Sequence, residues 1–346
     1  MKQVKENNMK QEKPLLILIS CTRNYGWVTR AFLEGNTRWA DYIIMVDQMS
    51  TDGTREMLAE YNAMRSDGVH RSKIITIDDP DMAYKENTRA KMAFMKGREL
   101  AAGRDAIYFS FAVDEILPAN WQQTKDGQNI LNSKPGDMFE IRWANILPDN
   151  KTCFPGDAWS YLIFHDNGME WQECVLEIHS PTLPYTSWDP KDINTIHDFP
   201  LIHFGYYNTQ WSKYKLIYYQ FVDIEQKRSK SAVSVFRMYH APEVHKDLIK
   251  SPIKKEWLFE DVDLIGLVDT KSTPIFIDYI KEIIAKEGIN IFQSIDVWTD
   301  EFCNIIGYKD PRSIGWKILH TYLRWTRKYS NSYIVKGIDK VLKSIV

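Results

Sequence analysis

The chain has 346 residues, 44% of them hydrophobic, so it is long enough to bury a full core and to add a second region. Its net charge of −2 at pH 7 does not mark the whole chain as strongly basic or acidic. No stretch is long enough to span a bilayer, and the short apolar run near the N-terminus lacks a signal-peptide cleavage pattern. We therefore expect a cytoplasmic protein, either soluble or at the inner face of the membrane. A disulfide framework or a structural zinc site is not indicated by the four widely spaced cysteines, Cys21, Cys153, Cys174 and Cys303.

The first 115 residues alternate short β-rich runs with helical patterns. Strands are predicted at residues 15–20, 42–46, 73–77 and 106–112, and helices at residues 26–34, 53–65 and 83–102. A βαβα order of this kind predicts a Rossmann-like, doubly wound α/β sheet with parallel strands.

From residue 137 to about residue 204 the pattern changes to short strands without long helices between them. These strands are predicted at residues 138–143, 160–164, 174–178 and 201–204, and they suit a mixed sheet whose loops form one wall of a cleft. A helix is predicted at residues 208–227, and mostly helices from about residue 273. Core packing is favoured over a sugar-stacking platform for the aromatic face of the first of these helices, Trp211, Tyr214, Tyr218, Tyr219 and Phe221.

Two adjacent carboxylates, Asp114 and Glu115, follow the apolar run 106–113, where a buried strand would end. In an open parallel sheet, ligands lie outside the carboxyl ends of the strands. Mg²⁺ and Mn²⁺ take oxygen ligands and share their remaining coordination sites with phosphates, so this pair could hold such a cation against a phosphorylated substrate. The alternative is a solvated acidic turn.

The loops after the first two strands are expected at the same edge of the sheet. The first loop carries Thr22, Arg23 and Asn24, and the second runs from Asp47 to Asp52 and beyond. Asp52 is suited to cap the following helix, whereas Asp47, at the end of the strand itself, is freer to meet a ligand. Three polar clusters are thus predicted to converge on one crevice.

Two of these motifs resemble those of a known family. The run from Asp47 to Thr54 reads DQMSTDGT and resembles the D-x-x-S-T-D-G-T signature of family 2 glycosyltransferases, which have the GT-A fold. The run from Phe111 to Glu115 reads FAVDE and is similar to the L-D-A-D-E metal motif of that family. The resemblance implies a GT-A-like sheet, an inverting reaction, a nucleoside-diphosphate sugar as donor, and Mn²⁺ or Mg²⁺ as cofactor.

The resemblance covers residues 14–225 and implies a division of the chain. Residues 1–13 are expected to be a flexible N-terminus, and residues 230–346 a mostly helical C-terminal region with a basic tail. Between them, a GT-A-like catalytic domain at residues 14–229 would consist of a nucleotide-sugar-binding half, 14–115, and an acceptor-binding half, 116–229.

The same resemblance implies roles for individual residues. Asp47 is similar to the aspartate that hydrogen-bonds the nucleobase. Asp114 resembles the last aspartate of the metal motif, with Glu115 beside it, while Ala112 stands where the first aspartate would be. His203, in an apolar run, is similar to a histidine that completes the metal site in many GT-A enzymes. The other expected donor-binding residues are Thr22, Arg23, Asn24, Asp52, Asn87, Arg89 and Val113.

The catalytic base is expected from the second half. Residues 161–173 resemble a hairpin that carries a short His-Glu segment in part of the family, with Glu173 at the Glu position and Gln172 in place of the His. An inverting transfer needs a carboxylate to take the proton of the acceptor hydroxyl. Glu173 is the predicted base, with Glu170 or Glu177 as the alternatives.

The last segment of the chain is strongly basic. Residues 305–346 contain nine Lys and Arg against two Asp, a net charge of +7, so the rest carries −9. Trp316, Leu319 and Leu323 alternate with basic residues in a pattern typical of an amphipathic helix. Two interpretations stay open, a peripheral contact with lipid headgroups and a solvated helix packed on the domain. No nucleic-acid partner is predicted.

The sequence therefore predicts a metal-dependent, inverting glycosyltransferase that acts on a glycan or lipid-linked acceptor in cell-surface polysaccharide synthesis. A non-catalytic nucleotide-sugar-binding or scaffold protein of the same fold is the alternative, which Ala112 keeps open. A nucleotidyltransferase would usually carry a Gly-rich basic loop after the first strand, and residues 21–26 do not form one.

Overall fold

The computed structural model of the protein describes residues 13–174, 177–184, 192–226, 230–240, 250–271 and 275–345. The predicted flexible N-terminus lies almost wholly outside these residues. In chain order the described strands are β1 (Leu15–Thr22), β2 (Tyr42–Asp47), β3 (Lys73–Asp78), β4 (Ala106–Ser110), β5 (Glu115–Ile116), β6 (Met138–Ile146), β7 (Thr152–His165), β8 (Ile193–Thr195), β9 (Leu201–His203) and β10 (Ser251–Pro252). The described α-helices are α1 (Gly26–Asn36), α2 (Thr54–Ala63), α3 (Glu86–Ala101), α4 (Lys125–Leu131), α5 (Thr209–Glu225), α6 (Ala232–Tyr239), α7 (Phe276–Glu287), α8 (Asp300–Ile306), α9 (Ile314–Thr326) and α10 (Tyr333–Leu342).

The strands form one mixed sheet in the order β3-β2-β1-β4-β7-β6-β9-β5, with β10 beside β7 and β8 beside β6. The first four strands of this order run parallel. Side chains alternate along a strand, so Leu18 of β1 packs in the cluster that contains Phe32 of α1, while Ile17 packs in the cluster that contains Phe94 of α3. Helices thus cover both faces, and the predicted doubly wound, mixed α/β sheet is confirmed.

The second half of the sheet is largely antiparallel. β7 runs antiparallel to both β4 and β6. It begins at Thr152, before the predicted start at residue 160, because its first part pairs with the end of β6 and with β10. The predicted strand at residues 174–178 falls partly on residues 175 and 176, which lie outside the described residues, and Cys174 is not in a strand.

Helix α5 connects the sheet to the helical C-terminal region. Its aromatic side chains enter the core, and the ring centroid of Trp211 lies 5.2 Å from that of Trp27 in α1 and 5.1 Å from that of Phe276 in α7. The helical content predicted after residue 273 is confirmed by α7 to α10. Within the described ranges, none of the helices combines the length and the apolar content that crossing a membrane requires.

Candidate functional site

A cavity of about 490 Å³ lies where β1 and β4 end. The loops after these strands and the first turn of α3 line one side of it. Helices α5 and α7 complete the wall with Lys215, Tyr218, Tyr219, Phe276 and Tyr279. The volume suits a small organic ligand, and the carboxyl ends of parallel strands are where open α/β sheets bind ligands.

Asp114 and His203 come together beside this cavity from two paired strands. Glu115 of β5 lies opposite His203 of β9, and the carbonyl of Asp114 accepts a hydrogen bond from the Phe204 N–H at 2.9 Å. His203 Nδ1 lies 2.6 Å from Asn145 Oδ1, an atom that can only accept, so Nδ1 carries the proton. Nε2 is then the atom that faces Asp114, at 3.6 Å from Oδ2.

Gly205 makes this approach possible. A Cβ atom at this position would lie 2.4 Å from the Cε1 and Nε2 atoms of the His203 ring and 3.4 Å from Oδ2 of Asp114. Any larger residue would therefore push the ring away from the carboxylate.

Lys215 of α5 supplies a cation to the same carboxylate. Its Nζ atom lies 3.2 Å from Asp114 Oδ2, between the rings of Tyr25 and Tyr219 at 5.7 and 6.0 Å. Burial alone would raise the pKa of Asp114, but the charge of Lys215 and the neighbouring imidazole of His203 outweigh it and hold that pKa below its ordinary value. Asp114 is therefore an ionised carboxylate that is fully buried.

Glu115 lines the cavity but is already engaged. Its Oε1 accepts a hydrogen bond from Trp143 Nε1 at 2.7 Å, and its Oε2 accepts one from the Ala112 N–H at 2.8 Å. Burial raises its pKa above the ordinary value. Glu115 thus holds the loop after β4, which carries Asp114.

Two groups at this place fit a divalent cation. Asp114 Oδ1 is buried without a hydrogen-bond partner, and His203 Nε2, the ring nitrogen that does not contact Asn145, lies 3.6 Å from Oδ2 of the same carboxylate. A metal-binding histidine commonly donates its other N–H to an oxygen, as His203 does to Asn145. In the described part of the chain, no group of three or more His, Cys, Asp or Glu side chains is suited to a metal. A cation at Asp114 would take its remaining ligands from a diphosphate or water, as Mg²⁺ often does.

Glu86 is the second carboxylate that lines the cavity. It stands at the first position of α3, facing the backbone N–H groups of His179 and Ser180 and the charge of Lys215. Its Oε2 has no hydrogen-bond partner. Burial raises the pKa of Glu86 to about 7. Glu86 therefore has the properties of a proton acceptor near neutral pH, which the sequence did not reveal.

Of the residues predicted to bind the donor, Thr22, Arg23, Arg89 and Val113 line the cavity. The hydroxyl of Thr22 is buried without a partner, and the guanidinium of Arg23 stacks 3.6 Å from the ring centroid of Tyr279. Arg89 is more constrained, because its Nε donates to Asp79 at 2.8 Å and its Nη2 to two carbonyl oxygens. Thr22 is the least engaged of these groups, whereas Arg23 Nη1 also donates to the Met82 carbonyl at 3.3 Å and Nη2 lies 3.9 Å from Glu282.

The remaining predicted donor-binding residues do not line the cavity. Asp47 is fully buried and accepts hydrogen bonds from the Ser50 N–H and from Arg55, at 3.0 and 2.7 Å. Asp52 caps two helices, accepting from the N–H groups of Gly26 at 2.7 Å and Thr54 at 3.1 Å. These carboxylates shape the second loop.

Asn24 and Asn87 likewise hold backbone in place. Asn24 Oδ1 accepts from the Thr51 N–H at 2.7 Å. The Asn87 amide donates to the Pro181 carbonyl at 2.8 Å and accepts from the Trp171 indole at 3.1 Å. Both side chains connect loops that border the cavity.

Glu173, the predicted base, is not brought to the cavity. Its side chain is 71% exposed and forms an ion pair with Lys91 on the outer surface of α3. Glu170 is also exposed. Glu177 accepts hydrogen bonds from the N–H and the hydroxyl of Thr88, at 3.1 and 2.5 Å, and so stabilises the start of α3. Glu86 replaces them as the candidate base.

Glu173→Gln is accordingly expected to leave catalysis intact. An exposed side chain away from structural features changes the free energy of unfolding by no more than about 0.5 kcal/mol. The measurement is donor turnover and thermal unfolding of the variant beside the wild type. A large loss of turnover with an unchanged melting temperature would show that Glu173 takes part in catalysis.

Lys215 had a recognisable signal in the sequence. It lies four residues after Trp211 and three before Tyr218, so it falls on the apolar face of α5. A lysine on a buried helical face needs a counter-charge, which Asp114 supplies. Glu86 carried no such signal, because its neighbours His179 and Ser180 are distant in the chain.

No protein-family model matches the chain, and no curated protein matches it. Among solved structures, the chain is similar to the mannosyltransferase PcManGT from Pyrobaculum calidifontis, solved in complex with GDP-Man and Mn²⁺. The two share 10% identity with a TM-score of 0.37, over 96% of this chain and 87% of that one. A likeness of this size does not carry the ligands or the activity of that protein over to this chain.

Proposed function

We propose that this protein is an inverting glycosyltransferase that takes a sugar from a nucleoside-diphosphate sugar and transfers it to a hydroxyl of a glycan or lipid-linked acceptor. The main support is the meeting of Asp114, His203 and Lys215 at the strand ends, beside a cavity of ligand size. A buried carboxylate with a free oxygen, an imidazole and an ammonium group together suit a diphosphate and its counter-cation. Synthesis of a cell-surface polysaccharide is the proposed setting.

The donor is proposed to lie along the cavity with its nucleotide at the β1 end. Thr22 and Gln48 offer polar groups there, and Arg23 with the Tyr279 ring offers a flat, positively charged surface. The carboxylate of Asp47 is held by Arg55 and Ser50. Recognition of the nucleobase is therefore assigned to the groups at the β1 end of the cavity and not to Asp47.

Asp114 and His203 would hold Mn²⁺ or Mg²⁺, which neutralises charge on a leaving diphosphate when bound. Lys215 adds a fixed ammonium at the same place, and its three donors can bind phosphate oxygens. Lys215 thus supplies positive charge beside Asp114, the one aspartate of the metal motif that this chain keeps. This is consistent with Ala112 at the position of the first aspartate.

Glu86 is proposed as the base of the transfer. Its carboxylate takes the proton of the acceptor hydroxyl as that oxygen attacks the anomeric carbon, and the bond to the diphosphate breaks on the opposite face, which inverts the configuration. A pKa of about 7 leaves a large fraction of Glu86 ionised at neutral pH.

The test is thermal-shift binding of UDP, GDP, CDP and dTDP with and without Mn²⁺, followed by turnover of the sugar nucleotide that binds. Ligand at about 100 times its Kd stabilises the folded state by about 2.7 kcal/mol. The part of the shift that depends on Mn²⁺ is expected to disappear in Asp114→Asn and in His203→Gln. Asp105→Asn, at the opposite end of β4, is the matched control and should keep it.

Two results would contradict the proposal. An unchanged Mn²⁺-dependent shift in both variants would remove Asp114 and His203 from the metal site. Nucleotide-sugar binding without turnover of any donor or transfer to any acceptor would favour the non-catalytic binding protein.

A further inference from the structure

The last two helices expose large apolar side chains to an unusual degree. Within the described residues, nine of the seventeen exposed large hydrophobic side chains lie between residues 314 and 345. Eight of these nine are at least 60% exposed, whereas none of the other eight exceeds 46%. The nine are Ile314, Ile318, Trp325, Tyr329, Tyr333, Ile334, Ile338, Val341 and Ile345.

These side chains follow helical spacing, so they form stripes. Ile314, Ile318 and Trp325 lie at i, i+4 and i+11 on α9. Ile334 and Ile338 repeat the i, i+4 spacing on α10, and Val341 and Ile345 continue it at i+7 and i+11. Each helix therefore has an exposed apolar stripe in addition to the face it buries.

Both helices are fixed to the body of the protein by other faces. Leu323 of α9 is fully buried against Val233 and Phe236 of α6, and Leu342 of α10 packs on the same cluster. Arg237 of α6 binds Asp339 of α10 at 2.9 Å. The exposed stripes are thus held in place by packing and an ion pair, and they are not needed for the core.

Exposed lysines accompany the stripes, on the far face of α10 and after the end of α9. Lys336, Lys340 and Lys343 of the α10 segment and Lys328 after α9 are exposed, and none forms an ion pair with any described residue. The acidic groups nearby are already paired: Asp339 with Arg237, and Asp310 with Arg312 at 3.0 Å. The exposed surface of α9 and α10 therefore combines apolar stripes with positive charge that no ion pair neutralises.

We propose that the surface of α9 and α10 docks on an anionic lipid bilayer, with the apolar stripes in the acyl boundary and the lysines of the polar face attracted by the negative charge of the headgroups. Helices that lie in a membrane interface combine these two features. A second copy of the chain would bring together two segments that each carry a net charge of +7. A bare polyanion would leave the isoleucines and Trp325 exposed to water. The inference does not depend on the proposed reaction.

The experiment is co-sedimentation of the full chain with vesicles. The wild type should bind phosphatidylglycerol–phosphatidylcholine vesicles at low salt and should bind pure phosphatidylcholine vesicles much less. Added salt should weaken this binding, because it screens the lysines. Lys336→Gln/Lys340→Gln/Lys343→Gln should lower partitioning roughly 100-fold, from about fivefold for each lysine. Lys125→Gln/Lys134→Gln/Lys151→Gln removes the same charge elsewhere and should bind as the wild type does.

A second variant separates the apolar contribution. Trp325→Gln/Ile334→Gln/Ile338→Gln should lose vesicle binding while its melting temperature stays near that of the wild type, because these side chains are exposed. Vesicle binding by both triple variants at the wild-type level would overturn the proposal. Equal loss in the control triple would also overturn it, as would heparin binding without vesicle binding. Dimerisation that the apolar variant abolishes, with no vesicle binding, would assign the surface to self-association instead.

Discussion

Glu86→Gln is expected to lower the rate of sugar transfer by roughly 10²–10⁴, the usual contribution of a positioned base, while donor binding is retained. Glutamine keeps the shape of the side chain but cannot accept a proton. The measurement is turnover of the sugar nucleotide identified by thermal shift, with its Kd determined in parallel. Glu99→Gln, an exposed position on the same helix, is the matched control and should transfer at the wild-type rate.

The pH dependence gives an independent check on Glu86. Only the ionised carboxylate can act as a base, so wild-type turnover should rise with pH and level off above about pH 7, the pKa of Glu86. Burial raises this pKa in the folded state, so the folded protein binds more protons than the unfolded chain between the two pKa values. Ionisation of Glu86 therefore costs stability as the pH rises through that window. Glu86→Gln should remove that cost and leave the melting temperature at pH 8 unchanged or higher.

Wild-type turnover by Glu86→Gln would show that another group is the base. Glu177→Gln is then the variant to compare, because its carboxylate also lies near the start of α3. If Glu86→Gln loses both donor binding and turnover, Glu86 is instead a donor-binding residue.

Lys215→Met is expected to destabilise the fold by about 3–5 kcal/mol, since it leaves a buried carboxylate without its cation. Asp114 is fully buried, and the Lys215 ammonium lies 3.2 Å from it. Methionine keeps the length and apolar stem of lysine, so the change is mainly one of charge. The free energy of unfolding is measured by denaturant titration. Lys213 lies on the same helix as Lys215 and forms an exposed ion pair with Glu301 of α8. Lys213→Met should therefore cost only about 0–1 kcal/mol.

A double variant tests whether the cost belongs to the pair. Asp114→Asn/Lys215→Met removes both charges and should be more stable than the sum of the single changes predicts, because the two groups are coupled. The pH dependence has a definite sign. Asp114 has a lowered pKa in the fold, so the stability that it contributes is present above its unfolded pKa and is lost as the pH falls through the folded value. Additive effects in the double variant would mean that Lys215 and Asp114 do not interact.

Lys215→Met should also weaken nucleoside-diphosphate binding without Mn²⁺, since the ammonium is the protein's own cation at this end of the cavity. If stability falls but nucleotide binding is unchanged, Lys215 only neutralises Asp114.

The sequence by itself determined the architecture of the first half and the edge at which the site lies. Strand and helix periodicities are local, so the elements from β1 to β4 could be predicted from short runs. The parallel order then required the loops after β1, β2 and β4 to share one edge of the sheet. The contact of Asp114 with His203 was predicted from the resemblance of local motifs, and the structure brings the two side chains together.

The tertiary structure decided which of these side chains reach the cavity. Asp47 and Glu173 stand at suggestive positions in the chain, but Arg55 and Lys91 hold their carboxylates in other directions. Such a choice depends on which partner lies nearest in space, and a partner distant in the chain leaves no periodic trace. The helical period placed Lys215 on the apolar face of α5, but it did not identify Asp114, 101 positions away in the sequence, as its partner.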